Sequence, residues 1–336
     1  MKTIAKISMM ALLALTFFSC TKERFLDEPG NLVPKTVDQD PGLPSIRVNG
    51  ALLHAEAFGP ADSTMVVFVH GGPGRDYRYL LNGVDLANYG YRVVFYDQRG
   101  SGLSQRFPGK FYTNLGLGAL DVLYQDLSAV IAHYRTSPNQ KVILMGHSWG
   151  GMLATGYAGK NPQAIQGLIV GEPGGLKWKD ISEYMKASRS YEILEELLND
   201  ATYLDQFITG KEDQHEILDY KMAMMASNNS ITGEDNTRPG SFWRSGAVIM
   251  GALQEIGKEH QPDFSAGISS FQTPVLFFYS GKNAAYPDAW AQKISAAYPM
   301  VNLIKVNGVG HPGIVHDRNA WTTITLPAIL QYLQSL

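Results

Sequence analysis

Short apolar runs that end at turn residues recur along the chain and predict the strands of a central sheet. The runs are rich in Val, Ile, Leu and Phe and alternate little with polar residues, a pattern typical of strands covered on both faces. They span residues 64–70, 91–97, 141–146, 165–171, 274–280 and 301–306. Earlier in the chain, Asn49-Gly50 between residues 46–48 and 51–58 predicts an antiparallel hairpin at the sheet edge.

Amphipathic helical patterns lie between these runs. One face of residues 120–134 carries the apolar side chains at helical spacing, namely Leu120, Leu123, Leu127, Val130, Ile131 and Tyr134. Residues 290–298 and 321–336 show a similar pattern. A chain that alternates strands with helices predicts an α/β fold, with a mostly parallel sheet and helices on both faces.

The alternation stops between residues 176 and 264. This stretch is rich in Glu and Met and has no apolar runs of the kind seen in the predicted strands, a pattern that predicts helices. We expect it to form an inserted helical cap over the carboxyl-terminal edge of the sheet. The predicted core then comprises residues 45–175 and 265–336.

The amino terminus predicts an export signal. Lys2 and Lys6 precede an apolar stretch at residues 7–18, which is too short to span a membrane comfortably. The signal, residues 1–19, is followed by Cys20 and resembles that of a bacterial lipoprotein, in which the cysteine is lipidated. We therefore expect an exported protein, in the bacterial periplasm or tethered to a membrane through that lipid. A plainly cleaved signal or an amino-terminal anchor is the alternative.

Composition narrows the possible partners. Of 336 residues, 45% are hydrophobic and 18% are charged, a balance typical of a globular protein rather than a disordered one. The net charge is −3 and no basic stripe stands out, which argues against nucleic acid as a partner. Cys20 is the only cysteine, so an intrachain disulfide and a cysteine metal cluster are impossible.

Residues 20–44 hold several Pro and Gly and predict a tether rather than a packed element.

The strongest chemical signal is Gly-His-Ser-Trp-Gly at residues 146–150, between a predicted strand and a predicted helix. A sharp turn from strand to helix exposes the Ser148 hydroxyl at the strand end, and its neighbours must be small because bulky ones would clash. We expect Ser148 to be a nucleophile. The backbone N–H of Trp149 lies at the helix start and is expected to face a developing oxyanion.

A second signal, His-Gly-Gly-Pro-Gly at residues 70–74, follows the first predicted parallel strand. Successive glycines leave backbone N–H groups able to point at a ligand. We expect the Gly72 N–H to form the other half of the oxyanion hole, with Gly71 as the alternative and as a candidate substrate contact. His70 is expected to hold the loop.

The third signal is His311, in the sequence Gly-Val-Gly-His that follows the last predicted strand. A histidine on a loop at the carboxyl end of a strand can reach the serine, so we expect His311 to be the general base. His147, which precedes the serine, and His316 are the alternatives.

Three motifs together resemble the α/β-hydrolase fold, namely HGGPG at residues 70–74, DQRGSGLS at residues 97–104 and GHSWGG at residues 146–151. More narrowly, they look like the proline iminopeptidase branch, peptidase family S33. The resemblance implies a serine hydrolase with a helical cap that acts through an acyl-enzyme, and this chemistry requires no metal or organic cofactor. Such enzymes release amino-terminal residues, often proline, from short peptides, and relatives cleave esters and other amides. We expect Asp97 and Arg99 to be mostly structural.

The chain departs from this family at the triad acid. Family members usually carry an aspartate after the strand that corresponds to residues 274–280, where this chain has Ala284. The histidine still needs an acceptor for its Nδ1–H. We expect Glu172 to provide it, because the end of its strand neighbours the histidine loop in this fold. The alternatives are Asp288 just past the same position, Asn283, which would orient the ring without charge, and no acid at all.

Substrate specificity is expected to reside in the cap. Iminopeptidases bind the substrate ammonium with cap glutamates, one of them in a W-x-x-W-E-like segment, whereas the nearest match here is Ser-Phe-Trp-Arg at residues 241–244. Arg244 therefore stands where a carboxylate is expected. It could pair with a substrate carboxylate, although a cap glutamate is the simpler partner. Trp243 is expected to line an apolar acyl pocket or to belong to the core of the cap.

Three functions are consistent with these patterns. The first is a secreted peptidase that releases amino-terminal residues, proline among them, from short peptides. The second is a carboxylesterase or amidase with the same mechanism. The third is a non-catalytic binding protein on a hydrolase scaffold, which the missing aspartate favours and the intact serine turn and histidine argue against.

Overall fold

A mostly parallel sheet forms the centre of the protein. The computed structural model describes residues 32–188, 215–225, 231–233 and 243–336. Within them the sheet has eight strands, namely β1 (Ser45–Val48), β2 (Ala51–Phe58), β3 (Met65–Val69), β4 (Arg92–Tyr96), β5 (Val142–His147), β6 (Gly167–Gly171), β7 (Val275–Ser280) and β8 (Val301–Val306). Their order in the sheet is β1-β2-β4-β3-β5-β6-β7-β8. β2 pairs antiparallel with β1 and with β4, and the other neighbours are parallel. The predicted hairpin and parallel strands are confirmed.

Both faces of the central strands β3, β5, β6 and β7 are buried, as their near-continuous apolar runs predicted, whereas β8 at the sheet edge is partly exposed. In β3, Met65, Val67 and Val69 pack into one apolar cluster. The alternate residues Val66 and Phe68 pack into a second cluster on the opposite face. Because successive side chains of a strand point to opposite faces, both sets must be apolar.

Helices cover these two faces. They are α1 (Gly109–Thr113), α2 (Gly118–Tyr134), α3 (Trp149–Lys160), α4 (Trp178–Ala187), α5 (His215–Met225), α6 (Ala247–His260), α7 (Asp288–Ser295), α8 (Gly313–His316), α9 (Arg318–Ala320) and α10 (Leu326–Ser335). 3₁₀ helices span Arg78–Tyr89 and Ile268–Ser270, and a π-helical turn spans Trp321–Thr325. The predicted helix over 321–336 therefore begins with that turn and continues as α10. None of the helices in the described ranges has the length and apolar character needed to cross a membrane.

The stretch between β6 and β7 contains helices joined by turns and loops, and no strand lies in its described residues. Within residues 176–264, α4, α5 and α6 form, and the backbone pairs only at a single bridge between Lys177 and Asp263 among the described residues. This agrees with the predicted loss of strand–helix alternation. The boundaries of the cap as a separate unit stay a prediction.

The segment that precedes the sheet packs against the fold. The predicted signal, Cys20 and the first part of the predicted tether lie outside the described residues. From residue 32 onwards the tether prediction is wrong. The N–H of Val37 donates to the Leu103 carbonyl at 2.8 Å, the N–H of Leu32 donates to Glu216 of α5 at 2.9 Å, and the Val37 side chain is buried. The Pro and Gly content of this segment suggested a flexible linker. Burial of the Val37 side chain and the backbone hydrogen bonds hold the segment against the fold instead.

Candidate active site

Ser148 occupies a strained turn at the carboxyl end of β5. Its φ of 56° and ψ of −125° are uncommon for a residue with a side chain, and α3 begins at the next residue. A Cβ atom on Gly146 would overlap the Gly150 carbonyl, and one on Gly150 would overlap the Val69 carbonyl. The two glycines of the motif are therefore required by close backbone approach. The Ser148 N–H donates to the Gly171 carbonyl at 2.7 Å, which ties this turn to the end of β6.

The glycine loop after β3 lies directly against Ser148. A Cβ atom on Gly71 would lie 3.0 Å from the Ser148 Cβ. Gly72 has a φ of 129°, and a Cβ atom there would lie 2.6 Å from the Gly74 nitrogen, so only glycine fits. Trp149 is the first residue of α3, where a backbone N–H has no partner within the helix. The structure thus brings both predicted oxyanion segments to the serine turn.

Gly71 does not offer its amide to a substrate. Its N–H donates to the Tyr79 hydroxyl at 2.8 Å. Of the two glycines considered from the sequence, this contact leaves Gly72 as the better candidate for the oxyanion donor.

Gln98 joins the glycine loop to the serine turn, a link that the sequence analysis missed. Its side-chain amide donates to the His70 carbonyl at 2.8 Å, and its Oε1 accepts from the Trp149 indole N–H at 2.9 Å. Its backbone N–H donates to His70 Nε2 at 2.9 Å, while His70 Nδ1 donates to the Gly71 carbonyl at 2.8 Å. Burial lowers the pKa of His70 and keeps its ring neutral. The expected loop-holding role of His70 agrees with these contacts.

His311 is hydrogen-bonded to Glu172. The distance from His311 Nδ1 to Glu172 Oε2 is 2.7 Å, and the Glu172 side chain is fully buried. Glu172 Oε1 accepts from the backbone N–H of Ser280 at 3.1 Å and from its hydroxyl at 2.8 Å. These donors compensate for the burial of a carboxylate. Glu172 follows β6 and Ser280 ends β7, so adjacent parallel strands assemble this contact.

The other candidates for the acid lie elsewhere. Asp288 is exposed and pairs with Lys305 at 2.6 Å. Asn283 is buried, and its side-chain amide donates to the Tyr184 hydroxyl at 3.1 Å. Of the carboxylates and amides considered from the sequence, the structure therefore brings only Glu172 to His311 Nδ1.

The alternative histidines have other contacts. His147 is buried, with Nδ1 3.0 Å from the Tyr79 hydroxyl and Nε2 2.9 Å from the His311 carbonyl. Burial and the neighbouring His311 lower the pKa of His147 well below its usual range, so the ring stays neutral. His316 is exposed and ends α8.

The His311 ring packs against the ring of His147, the residue that precedes Ser148. The rings of His147 and His311 have centroids 4.7 Å apart, and Ser148 is the next residue of the chain. In the described part of the chain, the Ser148 hydroxyl does not itself form a hydrogen bond with His311. Such catalytic hydrogen bonds are often long in unliganded enzymes and tighten when substrate binds.

A short segment of the predicted cap holds the histidine loop. This segment, residues 231–233, accepts two backbone hydrogen bonds. The His311 N–H donates to the Thr232 carbonyl at 2.9 Å, and the Ala284 N–H donates to the Ile231 carbonyl at 2.8 Å. The position of His311 therefore depends on the cap as well as on the core.

Tyr184 of α4 also lies beside the histidine. Its ring centroid is 6.3 Å from that of His311 and 5.7 Å from that of Tyr286. A helix of the predicted cap region thus contributes a wall next to the imidazole. Among the described residues, no group of three or more His, Cys, Asp or Glu side chains is arranged to hold a metal ion.

Arg244 is engaged in a buried ion cluster rather than facing a substrate. Its Nε donates to Asp219 Oδ2 at 2.7 Å, and its Nη1 donates to the Pro34 carbonyl at 2.8 Å. Arg106 Nη2 donates to the same Asp219 oxygen at 3.0 Å. In the described residues, the ion pair of Arg244 is thus formed with an aspartate of α5, Asp219, instead of the cap glutamate that the sequence suggested.

Trp243 packs against the core. Its ring meets those of His54 and Tyr77 edge-on, with centroids 5.5 and 5.0 Å apart, and Arg78 lies over it. Of the two roles considered from the sequence, these contacts favour a packing role over a wall of the acyl pocket.

Replacing Asp219 with alanine is expected to lower the free energy of unfolding by about 3–5 kcal/mol, because two buried guanidinium groups would lose their carboxylate. Urea denaturation followed by circular dichroism measures the change. Asp288→Ala, which removes an exposed carboxylate paired with Lys305, is the control and should leave the denaturation midpoint unchanged. Equal losses in the two variants would contradict the importance of the buried cluster.

A family model and several known proteins match this chain. The model described as serine aminopeptidase, S33, matches residues 60–311. The proline iminopeptidase of Saccharolobus solfataricus is 40% identical over 107 residues, 31% of this chain and 32% of that protein. The match therefore spans about a third of that protein's length. The AB hydrolase superfamily protein YfhM of Bacillus subtilis is 24% identical over 297 residues, 86% of this chain and 97% of that protein.

A solved structure matches the fold over most of the chain. The crystal structure of proline iminopeptidase from Mycobacterium smegmatis has a TM-score of 0.57 at 15% identity, covering 87% of this chain and 99% of that one. The strand order and this likeness show the α/β-hydrolase fold that the sequence motifs implied.

Proposed function

Since the chain belongs to the S33 serine aminopeptidase family of α/β-hydrolases, we propose that it is a serine hydrolase that releases amino-terminal residues, proline among them, from short peptides. The hydrogen bond between His311 and Glu172 beside the Ser148 turn carries the proposal. A buried carboxylate that accepts from Nδ1 fixes the imidazole tautomer with its hydrogen on Nδ1, in which Nε2 can act as the proton acceptor.

In the proposed mechanism, Ser148 attacks the substrate carbonyl while His311 Nε2 takes the hydroxyl proton. Glu172 stabilises the imidazolium that forms. His311 then gives this proton to the leaving amine, which departs and leaves the carbonyl carbon bonded to Ser148 as an ester. Water, deprotonated by His311, hydrolyses the ester, and the proton returns to the Ser148 oxygen.

The backbone N–H groups of Gly72 and Trp149 are the proposed donors to the oxyanion. Both lie in segments packed against the serine turn, and their positions are supported by the Gln98 bonds to the glycine loop and to the Trp149 indole. Loss of one such donor typically lowers kcat by about 10²- to 10³-fold.

The peptidase assignment is supported by the family match and by the local identity to a proline iminopeptidase. A panel of aminoacyl-naphthylamides, proline included, measured beside short-chain p-nitrophenyl esters, tests it. We expect the highest kcat/KM for an aminoacyl amide with a free amino group. An acetylated amino group should abolish cleavage. Equal cleavage of free and acetylated amides would contradict an aminopeptidase.

A carboxylesterase or amidase of the same mechanism is the second candidate. One observation favours it. Arg244 stands at the position where iminopeptidases carry an ammonium-binding glutamate, and its guanidinium is bound to Asp219. Preferred cleavage of the p-nitrophenyl esters in the same panel would support this candidate.

Failure of the wild-type protein to react with a fluorophosphonate would support the non-catalytic alternative.

We also propose that the protein is exported and lipidated at Cys20. A Cys20→Ser variant, expressed in a bacterial host, is then expected in the soluble periplasmic fraction, while the wild-type protein sediments with membranes. Electrospray mass measurement of the mature wild-type protein checks the acyl adduct. Identical fractionation of the two proteins would contradict lipidation.

Replacing Gly233 with alanine is expected to lower kcat by about 10²-fold, because a displaced histidine loop misaligns the reacting groups. Gly233 has a φ of 75°, and a Cβ atom there would lie 2.9 Å from the Gly310 Cα, next to His311. Steady-state kinetics on the best panel substrate measure the loss. Gly50→Ala is the matched control, with the same φ and no atom within 4 Å of the added carbon. Unchanged kcat in Gly233→Ala would exclude a role of the cap segment.

A further inference from the structure

A chain of hydrogen bonds joins the glycine loop after β3 to the loop that carries His311. The Gly71 nitrogen is 2.8 Å from the Tyr79 hydroxyl oxygen. That oxygen is 3.0 Å from His147 Nδ1, and His147 Nε2 is 2.9 Å from the His311 carbonyl oxygen. We call this the Tyr79 chain. It connects the proposed oxyanion segment with the proposed general base by a route that avoids the reacting atoms.

The direction of every bond in the Tyr79 chain is fixed by chemistry. A carbonyl oxygen only accepts, so His147 must carry its hydrogen on Nε2. The ring is buried and neutral, as its lowered pKa indicates, so Nδ1 is an acceptor. The Tyr79 hydroxyl therefore donates to His147, and its oxygen accepts from the Gly71 N–H.

Both ends of the Tyr79 chain matter for the proposed reaction. At one end, the hydroxyl takes up the Gly71 amide, so that the next amide, that of Gly72, is the one left to face an oxyanion. At the other end, His147 holds the main chain of His311, whose ring is oriented by Glu172. One hydroxyl thus sits between two loops whose relative position the chemistry depends on.

We propose that Tyr79 is a positioning residue, which holds the oxyanion loop and the catalytic histidine loop in register with each other. The inference rests on the proposed serine hydrolase function and assigns a role to a side chain outside the sequence motifs. Tyr79 is buried and its hydroxyl contacts Gly71 and His147, so we expect it to act through these two residues.

Loss of the hydroxyl would leave two buried polar groups without their partner. The Gly71 N–H would lose its acceptor and His147 Nδ1 its donor, which favours movement of both loops toward other partners. We expect Tyr79→Phe to lower kcat by about 10- to 100-fold, with KM nearly unchanged, because the misplaced groups act mainly in the transition state.

The test uses the full-length protein and the most rapidly cleaved substrate of the panel. Wild type, Tyr79→Phe and Tyr112→Phe are compared for kcat, KM and melting temperature, after titration of active serines with a fluorophosphonate. The Tyr112 hydroxyl is buried and lacks a hydrogen-bond partner in the described structure. Tyr112→Phe therefore removes the same atom without breaking a bond, and it should keep the wild-type kcat.

A double-mutant cycle separates positioning from a general loss of stability. Tyr79→Phe and His147→Leu interrupt the same chain, so their combined effect on kcat should be clearly smaller than the product of the single effects. His147→Gln provides an amide that can both donate and accept. It should therefore retain more activity than His147→Leu, a comparison that stays informative if Tyr79→Phe does not fold.

Several outcomes would overturn the inference. Wild-type kcat in Tyr79→Phe, even with a lowered melting temperature, would reduce Tyr79 to a structural residue. Fully multiplicative effects of Tyr79→Phe and His147→Leu on kcat would show that the two residues act independently. Equal activity of the Gln and Leu variants at His147 would show that its hydrogen bonds do not matter for kcat, and either result contradicts the proposal. If wild type itself fails to react with the fluorophosphonate, this result contradicts both the serine hydrolase function and the positioning role of Tyr79. If wild type reacts and hydrolyses substrate, the variants test the role of Tyr79 alone.

Discussion

The Ser148→Ala variant is expected to be folded and to have a kcat about 10⁶-fold below that of the wild-type protein. The proposed reaction proceeds through an ester on this hydroxyl, and loss of the nucleophile of a triad typically has an effect of this size. Residual hydrolysis would come from binding and from the oxyanion donors alone. Progress curves at high enzyme concentration, with the best substrate of the panel, measure the difference.

The melting temperature of Ser148→Ala, compared with that of the wild-type protein, controls for a loss of stability in the serine turn. Ser148 has a positive φ that alanine tolerates no better than serine, so the melting temperature should change little. A folded Ser148→Ala protein that keeps more than a small fraction of the wild-type kcat would rule out Ser148 as the nucleophile.

The Glu172→Gln variant is expected to lower kcat by about 10⁴-fold, as when the aspartate of a triad is replaced by its amide. A glutamine at this position can still contact Ser280 and His311. However, it cannot stabilise the imidazolium, and its NH₂ group can force the wrong ring tautomer. KM should change much less, because Glu172 is buried behind the histidine and away from substrate.

Asp288→Asn is the matched control for Glu172→Gln. Asp288 lies nearer to the position where family members carry their acid, but its carboxylate is exposed and bound to Lys305. We expect the wild-type kcat in this variant. Near-normal turnover in Glu172→Gln together with an inactive Asp288→Asn would reverse the assignment of the acid.

The sequence predicted the fold and the contact between Glu172 and His311 for identifiable physical reasons. Apolar runs with little alternation are demanded by a sheet covered on both faces, and the structure has those strands within a few residues of the expected ends. Parallel strands deliver their carboxyl ends to one edge. The resemblance to α/β-hydrolases implied in addition that the end of the Glu172 strand neighbours the histidine loop, which is why Glu172, though unusually sited, was expected near His311.

Other features could not be predicted because no periodic pattern marks them. The Gln98 side chain contacts the His70 carbonyl 28 residues away, and the Tyr79 hydroxyl contacts the His147 side chain 68 residues away. The partner of Arg244 was expected among the cap glutamates, but burial of both groups selected Asp219. The burial of Val37 depends on a site that only the folded protein presents, so a segment rich in Pro and Gly was taken for a tether.

The rate at which a fluorophosphonate labels Ser148, followed by intact mass and peptide mapping, is the most direct test of a nucleophilic serine activated by His311 and Glu172. We expect one adduct on Ser148 in the wild-type protein and none in Ser148→Ala. We also expect Glu172→Gln to be labelled more slowly by orders of magnitude, while Asp288→Asn reacts like wild type. An unlabelled wild-type protein, an adduct on another residue, or equal rates for wild type and Glu172→Gln would contradict this triad.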